Sequence, residues 1–136
     1  MYENLINSAF EALGNSYAPY SGFHVAAAVI TDSGNIYTGV NVENASYPAG
    51  ICAECNAVGK AASCGERKIR TIAIAGRDAK GNSSGYVSPC GICRQVLREF
   101  SEPKDLKVIM AKSLTDYKEM TLEELLPESF GPESLG

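Results

Sequence analysis

The chain has 136 residues, 45% apolar and 21% charged, with 12 Lys and Arg against 16 Asp and Glu for a formal charge of −4. That length fits one domain, residues 1–136, burying about 70% of its unfolded surface, and the acidic balance excludes a phosphate-backbone partner, so no nucleic acid is expected. No apolar run is long enough to span a bilayer, and Met1-Tyr2-Glu3-Asn4 lacks the basic start of a secretory signal, so no membrane partner and a cytoplasmic location are expected.

Leu5 to Leu13 places apolar residues at helical spacing and Gly14-Asn15 stops the run, which predicts a first helix. His24 to Thr31 and Asn35 to Val40 are β-prone runs joined by Asp32-Ser33-Gly34, a turn sequence that predicts an antiparallel hairpin. A helix is expected from Cys52 to about Ser63, leading through Cys64-Gly65 to a strand at Thr71 to Ala75. Arg67-Lys68-Ile69-Arg70 reads as a solvated loop, and the polar, glycine-rich Ala79 to Gly85 as another. A second helix starts at Cys90 and runs to about Phe100, and a strand follows at Leu106 to Ala111. Thr121-Leu122-Glu123-Glu124 has the spacing of a capping box, and Pro127 soon ends that last helix. The alternation predicts an α/β three-layer sandwich around a mixed central sheet. The two cysteine-bearing helices would lie side by side on one face, with both N-termini at one edge.

The chemistry is concentrated in Cys52-Ala53-Glu54 and Ser88-Pro89-Cys90-Gly91-Ile92-Cys93. Residues two apart in a helix face away from each other, so Cys52 belongs at a cap with Glu54 in the first turn. Cys90 and Cys93, three apart, share one face and bind as a pair. Helix N-termini favour the thiolate that a metal needs. Five cysteines, an odd number, in a chain with no export signal favour metal ligation over disulfides. Three cysteine ligands leave one corner of a tetrahedral zinc open, where water is activated.

Cys55 supports a competing reading. Cys52-Ala53-Glu54-Cys55 and Cys90-Gly91-Ile92-Cys93 are two C-x-x-C pairs, the spacing of a closed structural zinc site. Against that, the gap between the pairs is long for a zinc ribbon, and the first pair lacks the Gly or Pro of a knuckle and runs into a helix. A noncatalytic zinc-stabilised interaction module would unfold on chelation and have no need of Glu54. Cys64 is expected to pack as a small apolar group, and His24, the one histidine, to be a strand residue. Asn41 and Glu43, two apart, project to one face.

From Tyr17-Ala18-Pro19-Tyr20-Ser21 through Asn41-Val42-Glu43-Asn44-Ala45 to Leu125-Leu126-Pro127-Glu128-Ser129-Phe130, the chain resembles the small three-cysteine cytidine deaminases nearly end to end. The resemblance implies their fold, one Zn2+ per subunit on Cys52, Cys90 and Cys93, and hydrolysis of cytidine and deoxycytidine to uridine and deoxyuridine plus ammonia in pyrimidine salvage. Glu54 would be the catalytic residue, a base and then an acid that is not itself a zinc ligand. Asn41 and Glu43 would bind the ribose hydroxyls, Phe23 would pack on the base, and main-chain groups of Ala53 and Ser88 would read its edge. Ala45 joins these substrate-binding positions, while Tyr47 and Phe130 would close a neighbouring subunit's pocket in a homotetramer.

One position departs from the family, which commonly has Arg after the catalytic Glu where this chain has Cys55. Three thiolates on a dication leave a net negative site, so Arg94, beside Cys93, is expected to donate to ligand sulfurs. Blasticidin-type, deoxycytidylate and free-base deaminases share the chemistry. A phosphate site would want Arg or Lys near the pocket mouth. None stands beside Asn41-Val42-Glu43, where Glu43 would repel a phosphate, so a free pyrimidine nucleoside is the expected substrate.

Overall fold

A computed structural model describes all residues, Met1–Gly136. Its five strands are β1 (His24–Thr31), β2 (Ile36–Val40), β3 (Ile69–Arg77), β4 (Lys107–Ala111) and β5 (Tyr117–Thr121), in the sheet order β2-β1-β3-β4-β5. β1 pairs antiparallel with β2 and β3, β3 runs parallel to β4, and β4 is antiparallel to β5. The helices are α1 (Glu3–Ala12), α2 (Ala53–Ser63), α3 (Gly91–Glu99) and the short α4 (Leu122–Leu125). No helix is long and apolar enough to cross a membrane.

Side-chain alternation sorts the two faces of the sheet. Ala26 and Ala28 of β1 and Ala73 and Ala75 of β3 face α1, where they pack with Leu5, Ile6 and Ala9. Their neighbours Ala27, Val29, Ile72 and Ile74 turn to the other face and meet Ala57, Val58 and Ala61 of α2 and Leu97 of α3. The period of two in a strand produces both cores from one sequence. The result is the expected α/β three-layer sandwich with a mixed sheet.

The hairpin forms as expected, with Gly34 in the left-handed region at φ 90°. The capping box on Thr121 and Glu124 is present, with the Glu124 N–H donating to Thr121 Oγ1 at 3.2 Å. Two expectations need correction. Ile69 and Arg70 belong to β3, because the strand extends to pair with Thr31 past an irregularity in register, so the basic stretch is not wholly a loop. β5 was not anticipated, because Lys118 and Glu119 are exposed and give this edge strand no apolar run.

One close approach sets the position of α2. A Cβ on Gly39 of β2 would lie 2.4 Å from Ala57 N and 2.6 Å from Ala53 O. Both are main-chain atoms of the helix and cannot rotate aside. Gly39→Ala is therefore expected to cost about 1–3 kcal/mol, toward the upper end, by forcing helix and strand apart. A denaturant midpoint unchanged in this variant would contradict so tight a contact.

Candidate metal centre

α2 and α3 pack side by side, and each begins just after a cysteine. Cys52 caps α2 and Cys90 caps α3, both with extended backbone, while Cys93 lies in the first turn of α3. The three sulfurs lie within 4.8 Å of one another, and Cys52 Sγ is 3.8 Å from Cys90 Sγ. A tetrahedral zinc with bonds of about 2.3 Å holds its sulfurs about 3.8 Å apart, so this donor set fits such an ion. Both N-termini reach one edge of the sandwich, as the sequence implied.

The sulfurs differ electrostatically. The Cys52 thiol is pushed up to about 11, chiefly by burial, with Cys90 and Glu54 acting in the same direction. Burial likewise raises Cys93, with the Glu54 charge acting in the same direction. At Cys90 burial also works upward, but the N–H groups of Cys93 and Ile92 and the neighbouring thiols outweigh it and the thiol is lowered. Two main-chain donors at the start of α3 thus favour a thiolate at Cys90.

These directions predict how metal binding responds to pH. Ligand thiols must lose their protons, so a raised thiol binds more weakly until the pH climbs toward its own value. Since Cys52 and Cys93 are both raised, zinc affinity is expected to increase steadily from about pH 6 to about pH 8, with protons released from at least these two thiols as the ion binds. Calorimetry in buffers of different ionisation heat measures that release. An affinity flat over this range would contradict the expectation.

Glu54 stands beside the sulfurs without being one of the converging donors. It is 5% exposed, in the first turn of α2, and burial raises its carboxyl above the usual range. Its charge reaches Cys93, Cys52 and Cys55, raising all three. A buried carboxylate with a raised pKa next to a metal site is suited to accepting and returning a proton.

Cys55 lies outside the converging trio. Its sulfur is 3.6 Å from Cys93 Sγ, yet it is not in the group whose mutual distances stay within 4.8 Å. Arg94 does not meet the expectation placed on it. Its guanidinium donates to Pro89 O (2.8 Å), Leu125 O (2.7 Å) and Ser88 Oγ (3.0 Å), with no hydrogen bond to a sulfur. Consecutive helical residues point about 100° apart, so the neighbour of a ligand is aimed away from the metal. Cys64 is exposed and does not pack as expected. His24 is the first residue of β1, and its Nδ1 lies 2.8 Å from Ser16 Oγ.

A second cluster gathers Asn41, Glu43 and Phe23. Asn41 Oδ1 accepts from Val25 N at 3.0 Å and from Ser16 Oγ, and its Nδ2 donates to Phe23 O at 2.8 Å. A main-chain N–H only donates and a carbonyl only accepts, so the amide orientation is unambiguous. Glu43 accepts from Tyr20 N (3.0 Å), Ser21 N (3.1 Å) and Ser21 Oγ. Those bonds, the Ser21 hydroxyl foremost, hold its carboxyl below the ordinary range. Ser16 and Ser21 thus anchor the polar pair, and those roles were not legible, because Asn41 and Glu43 lie 25 and 22 residues away from them in sequence.

The two clusters meet through main-chain pairing. Val42 and Ile51 exchange two hydrogen bonds of 2.9 Å, which pairs the residue between Asn41 and Glu43 with the residue that precedes Cys52. Glu43, Tyr20, Ser21, Asn44, Tyr47 and Gly50 line a depression of about 340 Å³. Phe23 and Ala45 are exposed nearby in sequence, Ala53 is buried at the start of α2, and Ser88 is exposed. Tyr47 is 76% exposed, its ring edge-on to Tyr20 at 6.1 Å, and Phe130 is 59% exposed with its carbonyl accepting from Gln95.

The architecture and the residue pattern are shared with known proteins. Residues 1–110 match the family described as the cytidine and deoxycytidylate deaminase zinc-binding region. A cytidine deaminase of Halalkalibacterium halodurans is 40% identical over 131 residues, covering 96% of this chain and 95% of that protein. The crystal structure of cytidine deaminase from Burkholderia pseudomallei superposes with a TM-score of 0.85 at 38% identity, covering 96% of this chain and 99% of the other. That of cytidine deaminase from Mycobacterium tuberculosis gives 0.77 at 37% identity, over 96% and 97% of the two chains.

Proposed function

This chain belongs to the cytidine and deoxycytidylate deaminase family, and from that premise we propose which of its residues bind the substrate and move the protons. The reaction is the hydrolytic deamination of cytidine to uridine and ammonia, and the cofactor is one zinc per subunit. The ligands in this reading are Cys52, Cys90 and Cys93. Zinc, when bound, supplies the Lewis acidity that makes water a nucleophile near neutral pH.

The observation that carries the proposal is Glu54, buried beside three converging sulfurs and not one of them. Its carboxylate takes a proton from the attacking water and delivers it to the pyrimidine ring nitrogen. With oxygen now bonded to the ring carbon, the carboxylate collects the remaining hydroxyl proton and passes it to the amine as the C–N bond breaks and the carbonyl forms, so that one group serves as base and then as acid. Water and cytidine are consumed, and uridine and ammonia leave, with no net change in Glu54.

Asn41 and Glu43 hold the sugar. Asn41 Oδ1 already accepts two bonds and Nδ2 has one hydrogen free, so toward a hydroxyl Asn41 is a donor. Glu43, ionised, is an acceptor, and one hydroxyl satisfies both. Phe23 packs on the base, and the main chain at Ala53 and Ser88 reads its edge, with Ala45 at the same mouth. Glu43, kept anionic, disfavours a phosphorylated sugar, which supports a free nucleoside, deoxycytidine included, and a role in pyrimidine salvage.

The exposure of Tyr47 and Phe130 supports a homotetramer in which a neighbour's side chains complete each pocket. Two cores on one sheet support reading residues 1–136 as one domain. The requirement for reduced thiols supports a cytoplasmic location.

The test is a turnover assay that follows uridine and ammonia together, with cytidine, deoxycytidine and cytidine 5′-phosphate as substrates. Equal amounts of both products from the nucleosides, lost on chelation and restored by zinc, are expected. Folded, zinc-loaded protein that forms no product from either nucleoside would overturn the reading. A preference for the phosphate would move the substrate to the nucleotide.

A further inference from the structure

Three thiolates around a dication leave one negative charge in excess, and hydrogen-bond donors to sulfur offset it. The structure distributes such donors unevenly. Cys90 receives the N–H groups of Cys93 and Ile92 at the start of α3. Arg94, the cation beside Cys93 in sequence, donates to Pro89, Ser88 and Leu125 instead. Cys93 is fully buried, and the one side-chain donor in contact with it that is not itself among the converging sulfurs is Cys55, at 3.6 Å.

We propose that Cys55 donates its S–H to the Cys93 sulfur and so acts as the positioning residue that offsets charge at the zinc centre. The proposal rests on the reading of Cys52, Cys90 and Cys93 as the ligands. A ligating cysteine is a thiolate with no proton to give, so the hydrogen between the two sulfurs belongs to Cys55. An S–H is a weak donor, but a charged acceptor strengthens the bond. The first turn of α2 sets this arrangement: Cys52 sits at the cap and Cys55 three residues on, so one helix end carries both a ligand and the donor to a ligand of the other helix. Cys55 does not complete a fourth bond, since its sulfur falls outside the group that converges within 4.8 Å.

The test replaces zinc with cobalt, whose sulfur-to-metal charge-transfer absorption reports how electron-rich the sulfurs are. Cys55→Ala is expected to move that band to lower energy and to weaken zinc about tenfold in competition with a chromophoric chelator. Cys55→Ser, which exchanges S–H for the stronger O–H donor, is expected to keep zinc and move the band to higher energy, and it tests the idea if the alanine variant fails to fold. Bands and affinities unchanged in both variants would overturn the proposal. Loss of cobalt from both would overturn it differently, by making Cys55 a fourth ligand. If Cys90→Ser still binds cobalt with unaltered sulfur bands, the ligand assignment itself fails, and the proposal with it.

Discussion

Glu54→Gln is expected to leave the fold and one zinc per chain in place while lowering turnover by about 10²–10⁴-fold, the usual contribution of a positioned acid and base. Glutamine keeps the size of the side chain and its capacity to hydrogen-bond, but it cannot take up and return a proton. The residue is nearly inaccessible, and burial raises its carboxyl, so bulk water does not readily replace it as the proton carrier. Because Glu54 is not among the converging sulfurs, its loss removes no metal donor. Metal analysis, circular dichroism and turnover on the same preparation test the three parts together. Turnover within tenfold of the unsubstituted protein would sink the proton-transfer role, and loss of zinc would show that the carboxylate is a ligand.

Cys90→Ser is expected to abolish stoichiometric zinc and, with it, detectable turnover, whereas Cys55→Ser keeps one zinc per chain after dialysis. Both positions belong to C-x-x-C pairs, so their spacing in sequence does not separate them. The geometry does. Cys90 Sγ is 3.8 Å from Cys52 Sγ and takes part in the three-sulfur convergence, while Cys55 touches Cys93 from outside it. Removing a ligand leaves two thiolates, too few to hold zinc against dialysis in a centre that keeps one position open. If the Cys55 variant lost zinc as the Cys90 variant does, the closed four-sulfur site would be the better description.

The candidate site was legible where its chemistry is local. Cys52 and Cys90 at helix caps and Cys93 one turn on follow from spacing, because helical geometry fixes which neighbours share a face. Arg94 shows the limit of that reasoning. Adjacency to Cys93 suggested a donor to sulfur, but the same helical rotation turns its guanidinium toward Pro89 and Leu125. The capping box at Thr121 was readable for its local spacing, and β5 just before it was not, because an exposed edge strand is defined by its partner rather than by its own pattern. Cys64 was expected inside and lies outside, since a helix end carries no periodic signal of its burial.

The amino-acid pattern alone yields the order of helices and strands apart from β5, the two cysteine-bearing helix starts, the carboxylate in the first turn of one of them and the resemblance that points to deamination. These depend on periodicity and on short spacings, which the chain carries locally. Which cysteines converge, the bond from Arg94 to Leu125, and the hold of Ser16 and Ser21 on Asn41 and Glu43 come from tertiary contacts. Those contacts join residues far apart in the chain, and they form only when the sheet and the close approach of α2 at Gly39 bring the segments together.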